Sequence, residues 1–286
     1  MDGTVSTSGS GFWMRSVYSD TSAEGDTSVG GSGVETNLDY TRTTVQAGYD
    51  HNLFGDKDGM LVAGVFGHYK DFSLKVDDGS GARLASGKAD GFGGGGSLTW
   101  YSPSGFYGDL IGQVTSWDAK VSGVNGGSGS FDALTYSLSA EGGYRFALDE
   151  DARLVPQAQL VWRGASFDNF TDSNGLDVKW NEKDTLTGRI GLALEGGRTV
   201  SQGGNGLAGY AIANLVYDFT KAGSLSAAGT KISTQTNRTR VEGRLGANLS
   251  SDDDSWTFFA EAGVAHALTG ESYVSFKGIA GARWNF

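Results

Sequence analysis

The chain has 286 residues, with 47 Gly, 2 Pro, no Cys, 12% aromatic and 19% charged residues, and a net charge of −11. The lack of cysteine excludes a disulfide framework, a Cys-ligated zinc site and a thiol nucleophile, and the acidic balance offers no basic stripe for phosphates, so nucleic acid is not an expected partner. No run approaches the roughly 20 apolar residues of a spanning helix, and mean hydropathy is −0.27. Strands escape that test, because a spanning strand needs only about 9–11 residues and alternate side chains can be polar. Turn signals recur throughout with no linker between them, which reads as one β domain. Met1-Asp2-Gly3 is followed by Ser, Thr and Gly without a basic or apolar leader, so the export signal is expected further upstream.

In chain order, twelve strands are predicted, beginning near residues 11, 36, 60, 84, 105, 131, 153, 184, 207, 232, 255 and 272. Gly91 to Gly96 formally matches GxGxxG, but the strand-like Ser97-Leu-Thr-Trp-Tyr101 follows where a nucleotide fold needs a helix. Those glycines are expected to permit a bend and to leave lumen space beside something threaded through it. From Leu134 to Phe146 the even positions are Leu, Tyr, Leu, Ala, Gly, Tyr and Phe, against Thr, Ser, Ser, Glu, Gly and Arg at the odd ones. The same period of two runs through Leu186 to Glu195 and Thr239 to Leu249. Short turns at Ser102 to Gly105, Ala147 to Asp151 and Ser250 to Asp254 alternate with Gly/Ser-rich connections such as Ser122 to Ser130. The pattern predicts an all-β, antiparallel up-and-down meander of twelve strands that closes into a barrel.

Two features favour a membrane barrel with a polar lumen over a soluble one. The polar faces carry charge in mid-strand, at Glu141, Arg145, Arg189, Glu195, Arg240, Glu242 and Arg244, joined by Glu261 and Arg283 as candidate lumen residues. Aromatics cluster near strand ends, at Phe12, Tyr18, Trp100, Phe106, Tyr144, Phe146, Trp162, Trp256, Phe258, Trp284 and Phe286, as two interfacial girdles require. The last predicted strand places Phe276, Ala280, Ala282, Trp284 and Phe286 on one face. His51, His68 and His266 are too scattered for a metal motif, and no cofactor is expected.

Phe258-Phe-Ala-Glu-Ala-Gly-Val-Ala-His266 resembles the penultimate strand of autotransporter (type V secretion) C-terminal translocator domains, and Gly11-Phe-Trp-Met-Arg15 their first. The terminal Phe286 is similar to the signature that ends outer-membrane barrels. The resemblance spans essentially the whole chain, and its style is similar to that of Bordetella autotransporters. It implies a twelve-stranded barrel integral to the bacterial outer membrane, which anchors in lipid and helps an N-terminal passenger reach the cell surface. It also implies a pore helix before the barrel, and a barrel-assembly machinery that reads the last strand through Phe276, Trp284 and Phe286. Ten residues at about 1.5 Å each cannot fill a roughly 30 Å membrane, so residues 1–10 are expected to be a linker remnant, with the helix outside this stretch and the barrel at 11–286. A stand-alone pore or surface-binding barrel is the alternative. A self-cleaving lumenal protease using Glu141, Glu195, Glu242 or Glu261 is a third reading, set against a structural ion network of the same residues with Arg145, Arg189, Arg240, Arg244 and Arg283. The network is favoured, so the chain is expected not to be an enzyme.

Overall fold

The computed structural model describes residues 10–29, 31–124, 126–181, 184–199, 206–220, 224–235 and 238–286. The predicted linker remnant lies, apart from Ser10, outside the described residues. The strands are β1 (Gly11–Val29), β2 (Ser32–Asp56), β3 (Gly59–Asp78), β4 (Arg83–Tyr101), β5 (Phe106–Gly123), β6 (Ser128–Tyr144), β7 (Phe146–Ala147), β8 (Ala152–Phe167), β9 (Phe170–Thr171), β10 (Asp177–Asn181), β11 (Thr185–Thr199), β12 (Gly206–Asp218), β13 (Ser224–Ala227), β14 (Thr230–Gln235), β15 (Thr239–Ser250), β16 (Trp256–Ala267) and β17 (Tyr273–Asn285). Twelve of them, β1–β6, β8, β11, β12 and β15–β17, pair antiparallel with their neighbours around a ring. The ring closes where β17 pairs with β1, from Gly11 against Asn285 to Ala23 against Tyr273.

Short polar turns join the strands at one end. Gly105 has φ +100° and closes the Ser102-Pro-Ser-Gly turn, a backbone region that disfavours any residue with a Cβ. In the turn before β16, Asp253 accepts hydrogen bonds from Ser251 Oγ (2.6 Å), Ser255 Oγ (2.6 Å) and Ser255 N (3.1 Å). Ser10 and Phe286 meet at this same end, where Phe286 N donates to Ser10 O at 3.2 Å. Short turns mark the periplasmic end of an outer-membrane barrel and long loops the outer end.

At the outer end the sheet is re-laid. β14 pairs with the last residues of β1, β13 with β14 and with β10, and β10 with β9. Ser173 N donates to Ser128 O (2.8 Å) and Asp168 N to Asp132 O (2.9 Å), tying this patch to β6. The mouth is therefore rimmed by β1–β6 and four short loop strands. Phe131, Phe167, Phe170 and Trp180 pack there with ring centroids 4.9–6.2 Å apart, fastening the 168–181 loop to the wall. The strand predicted to start at 232 starts at Thr239 instead, because Thr230–Gln235 belongs to the loop hairpin. The second begins at Ser32 rather than 36, and the Leu134 to Phe146 run breaks at Arg145 between β6 and β7.

Alternation sends apolar side chains outward. Leu134, Leu138, Leu160, Ile190, Leu192, Leu194, Leu245 and Phe258 are exposed, while the intervening positions face the lumen. Paired outward rings mark both strand ends. Tyr144–Phe146, Trp256–Trp284 and Phe12–Tyr49 stand at the short-turn end, with Tyr69–Phe92, Tyr136–Trp162 and Tyr217–Phe219 toward the loops. An outward apolar band between two aromatic girdles needs hydrocarbon as its solvent.

Candidate functional site

All nine candidate lumen charges sit on inward positions, and the fold joins them into pairs. Glu141 on β6 accepts from Arg189 Nη2 (2.6 Å) and Tyr107 OH (2.9 Å), reaching across β8. Arg145 lies 3.5 Å from Glu195 and stacks over the rings of Tyr101 and Tyr107. Arg244 stands between Glu242 (3.3 Å) and Glu261 (3.5 Å), and Tyr210 OH donates to Glu261 at 2.8 Å. Arg283 binds Asp50 at 2.6 Å, and Asp50 also accepts from Trp13 Nε1 at 3.1 Å. Arg240 binds Asp218 at 2.7 Å.

Several of these groups are packed rather than bathed in water: Arg244 is 2% exposed, Arg283 3%, Glu141 5% and Glu261 5%. A buried ion keeps its charge only if partners replace its hydration, which the carboxylate, guanidinium and phenol contacts supply here. The inner lumen is thus a polar core. Sequence reasoning missed Asp50, Tyr107, Tyr210 and Asp218 as partners. Strand parity would have placed all four inward, since each lies an even number of residues from other lumenal positions on its strand.

A second group of cations lies toward the mouth. Lys70 Nζ donates to Thr115 Oγ1 (3.0 Å), which also contacts His68 Nε2 (2.8 Å). Arg163 Nη1 donates to Thr187 Oγ1 (3.4 Å), whose hydroxyl donates to Asp218 (2.7 Å), the partner of Arg240. Arg240 in turn lies over the Tyr273 ring at 5.0 Å.

The glycines of β4 have a different use from the one expected. Lumen-facing Gly91, Gly93 and Gly95 leave a groove, but neighbouring side chains fill it. A Cβ at Gly93 would lie 2.0 Å from Val114 O and 2.6 Å from His68 Nε2, and one at Gly91 would meet the Trp117 ring at 2.7 Å. The β3 side chains lie across β4 to reach β5 only because no Cβ stands between.

Phe276, Trp284 and Phe286 project outward and are exposed. Trp284 and Phe286 join Phe12, Tyr49 and Trp256 in an aromatic patch over the β17–β1–β2 seam, with centroids 5.0–6.1 Å apart. The three histidines stand apart: His51 bonds Ser10 Oγ, His68 is buried in the lumen, and His266 is at the outer end of β16.

A closed twelve-stranded barrel with an apolar belt, aromatic girdles and a charged interior defines an integral outer-membrane β-barrel. The autotransporter beta-domain family model matches residues 12–263, and the chain belongs to that family. It is 30% identical to the adhesin BmaC autotransporter of Brucella suis over 76% of its own length, and 29% identical to the BrkA autotransporter of Bordetella pertussis over 86%. It spans only 6% and 23% of the lengths of those two relatives. Among solved structures, the transport unit of AIDA-I from Escherichia coli aligns with a TM-score of 0.83 at 18% identity, covering 100% of this chain and 93% of that one. The beta domain of Bordetella BrkA aligns at 0.71 and 22% identity, covering 97% and 100%. The chain is an outer-membrane translocator domain serving passenger secretion.

Proposed function

We propose that the barrel carries a segment lying upstream of Gly11 from the periplasmic mouth toward the surface, so that an N-terminal passenger emerges outside while the barrel stays in lipid. The observation that carries this reading is the seam. Gly11 pairs with Asn285 at the short-turn end, so any polypeptide before Ser10 starts beside the lumen entrance. The paired charges suit a conduit, because a group already satisfied within the wall has little left with which to hold a passing backbone. On this reading the pore helix precedes the chain, the barrel-assembly machinery reads Phe276, Trp284 and Phe286, and lipid solvates the outward faces. The domain acts as conduit and anchor, not as catalyst. Glu141, Glu195, Glu242 and Glu261 each have an arginine partner, which supports a structural role over a hydrolytic one.

The test is a reporter with an export signal and spacer fused ahead of Gly11. Protease added to intact cells should digest the reporter and leave the barrel in the membrane. A reporter retained in the periplasm behind a correctly inserted barrel would refute the reading. Glu195→Gln, at a half-exposed position, should leave any cleavage of the junction unchanged, and loss of cleavage with insertion intact would restore the protease alternative.

A further inference from the structure

The outer lumen holds more positive charge than its surroundings explain. Arg42 and Lys70 lie on one inward face of adjacent strands, with Lys70 opposite Thr44 and Arg42 one pair further toward the mouth, opposite Phe72. Lys70 has Arg42, Arg163 and His68 near it, and Arg163 has Arg42, Asp218 and Arg240. Among the described residues, four cations from β2, β3, β8 and β15 therefore come together beside Asp218, the carboxylate that binds Arg240, in a chain whose net charge is −11. Neutral groups also line them: Thr115 beside Lys70, Thr187 beside Arg163, and the Trp117 and Tyr273 rings.

Like charges brought together in a narrow, partly dehydrated passage repel, and an anion entering between them gains from all of them at once. Three guanidinium forks and an ammonium also match the geometry of an oxyanion better than that of chloride. The belt lies just below the aromatic patch of Phe131, Phe167, Phe170 and Trp180, which packs the loop strands against the wall.

We propose that Arg42, Lys70, Arg163 and Arg240 form an anion-binding constriction in the outer lumen, which takes a small multiply charged oxyanion such as phosphate from solution. The site does not depend on the identity of any passenger. Rings of Arg and Lys are the arrangement that selects anions in other pores, whereas the paired inner network carries no comparable excess.

The probe is inorganic phosphate, and the protein is this chain refolded in detergent or planar bilayers. In a KCl gradient the reversal potential should show chloride favoured over potassium by at least about threefold, and millimolar phosphate should reduce the chloride current saturably. In detergent, phosphate should broaden its own phosphorus resonance saturably on adding the barrel. The double variant Lys70→Gln/Arg163→Gln should lose both effects while keeping heat-modifiable migration. Lys88→Gln/Lys120→Gln removes the same charge from the outward face of β4 and β5 and should leave both unchanged. If the double variant does not fold, Arg42→Gln, at an exposed side chain, carries the comparison. Potassium preference, no saturable phosphate binding, or equal losses from the outward pair would each overturn the proposal. If no current flows, the resonance titration decides by itself.

Discussion

In the inner lumen Arg244 lies between Glu242 and Glu261 and Arg189 against Glu141, whereas toward the mouth Arg42, Lys70, Arg163 and Arg240 cluster and Asp218 binds Arg240. The residue types are the same, but the bookkeeping of charge differs. Where every ion has an opposite within contact distance, removing one strands its partner in a medium that cannot rehydrate it. Where cations outnumber carboxylates, removing one relieves repulsion. The first arrangement fixes the wall; the second shapes the field inside it.

The largest expected effect is therefore Arg244→Ala, which leaves the buried Glu261 and the half-buried Glu242 facing an empty space and should lower unfolding stability by about 3–5 kcal/mol, read as a drop in the denaturant midpoint for heat-modifiable migration. Arg163→Gln should cost less than about 1 kcal/mol in the same assay, as expected for a partly solvated charge. Equal losses for the two would erase the distinction between the halves.

Next comes Gly93→Ala. Its new methyl would press on Val114 O and the His68 ring, a backbone and a packed imidazole, and should cost about 1–3 kcal/mol as overpacking does. Gly278→Ala, whose Cβ meets nothing within 4 Å, is the control and should be nearly silent. A silent Gly93→Ala would mean that His68 and Lys70 reach Thr115 without needing the bare strand beneath them.

Deleting Phe286 removes ring contacts with Phe12, Tyr49 and Trp284 at an exposed position. Stability in detergent should fall by about 0.5–1.5 kcal/mol, while insertion in cells should fall far more if the last strand is also a recognition element. Parallel losses in both settings would reduce Phe286 to a packing residue.

The smallest effect belongs to Asp253, outside the membrane. Hydrogen bonds from Ser251 and Ser255 hold its carboxyl down from 3.8 to about 2. A group whose folded value lies below its unfolded one stabilises at pH above about 4 and loses that contribution as pH falls through about 2. Asp253→Ala should therefore flatten the acid end of the stability profile and shift the neutral end slightly downward. An unchanged acid limb would show that the turn does not depend on this carboxylate.

Much of this was legible in the residues, and for a physical reason. Period-two alternation depends only on which solvent each face meets, so β6, β11, β15 and the inward parity of Glu141, Arg189 and Arg244 could be read locally. Pairing could not. Arg283 and Asp50 are 233 residues apart, and only closure of the ring brings them together. The loop hairpin was misread because Thr230–Gln235 has strand character without a membrane to cross, and pattern does not distinguish a rim strand from a wall strand. The β4 glycines were read as open space, since a bare backbone in sequence does not reveal whose side chain will lie across it.

The seam between β1 and β17 also imposes an order of events. Thirteen residue pairs join the first strand of the ring to the last, and closing a loop of that size costs about 5 kcal/mol of chain entropy before the first pair forms. Until then the sheet has two free edges, each able to accept a stranger's strand. A barrel built this way cannot close before β17 is made: that strand carries the edge that matches β1, and its pairing turns an open, aggregation-prone ribbon into a structure without ends.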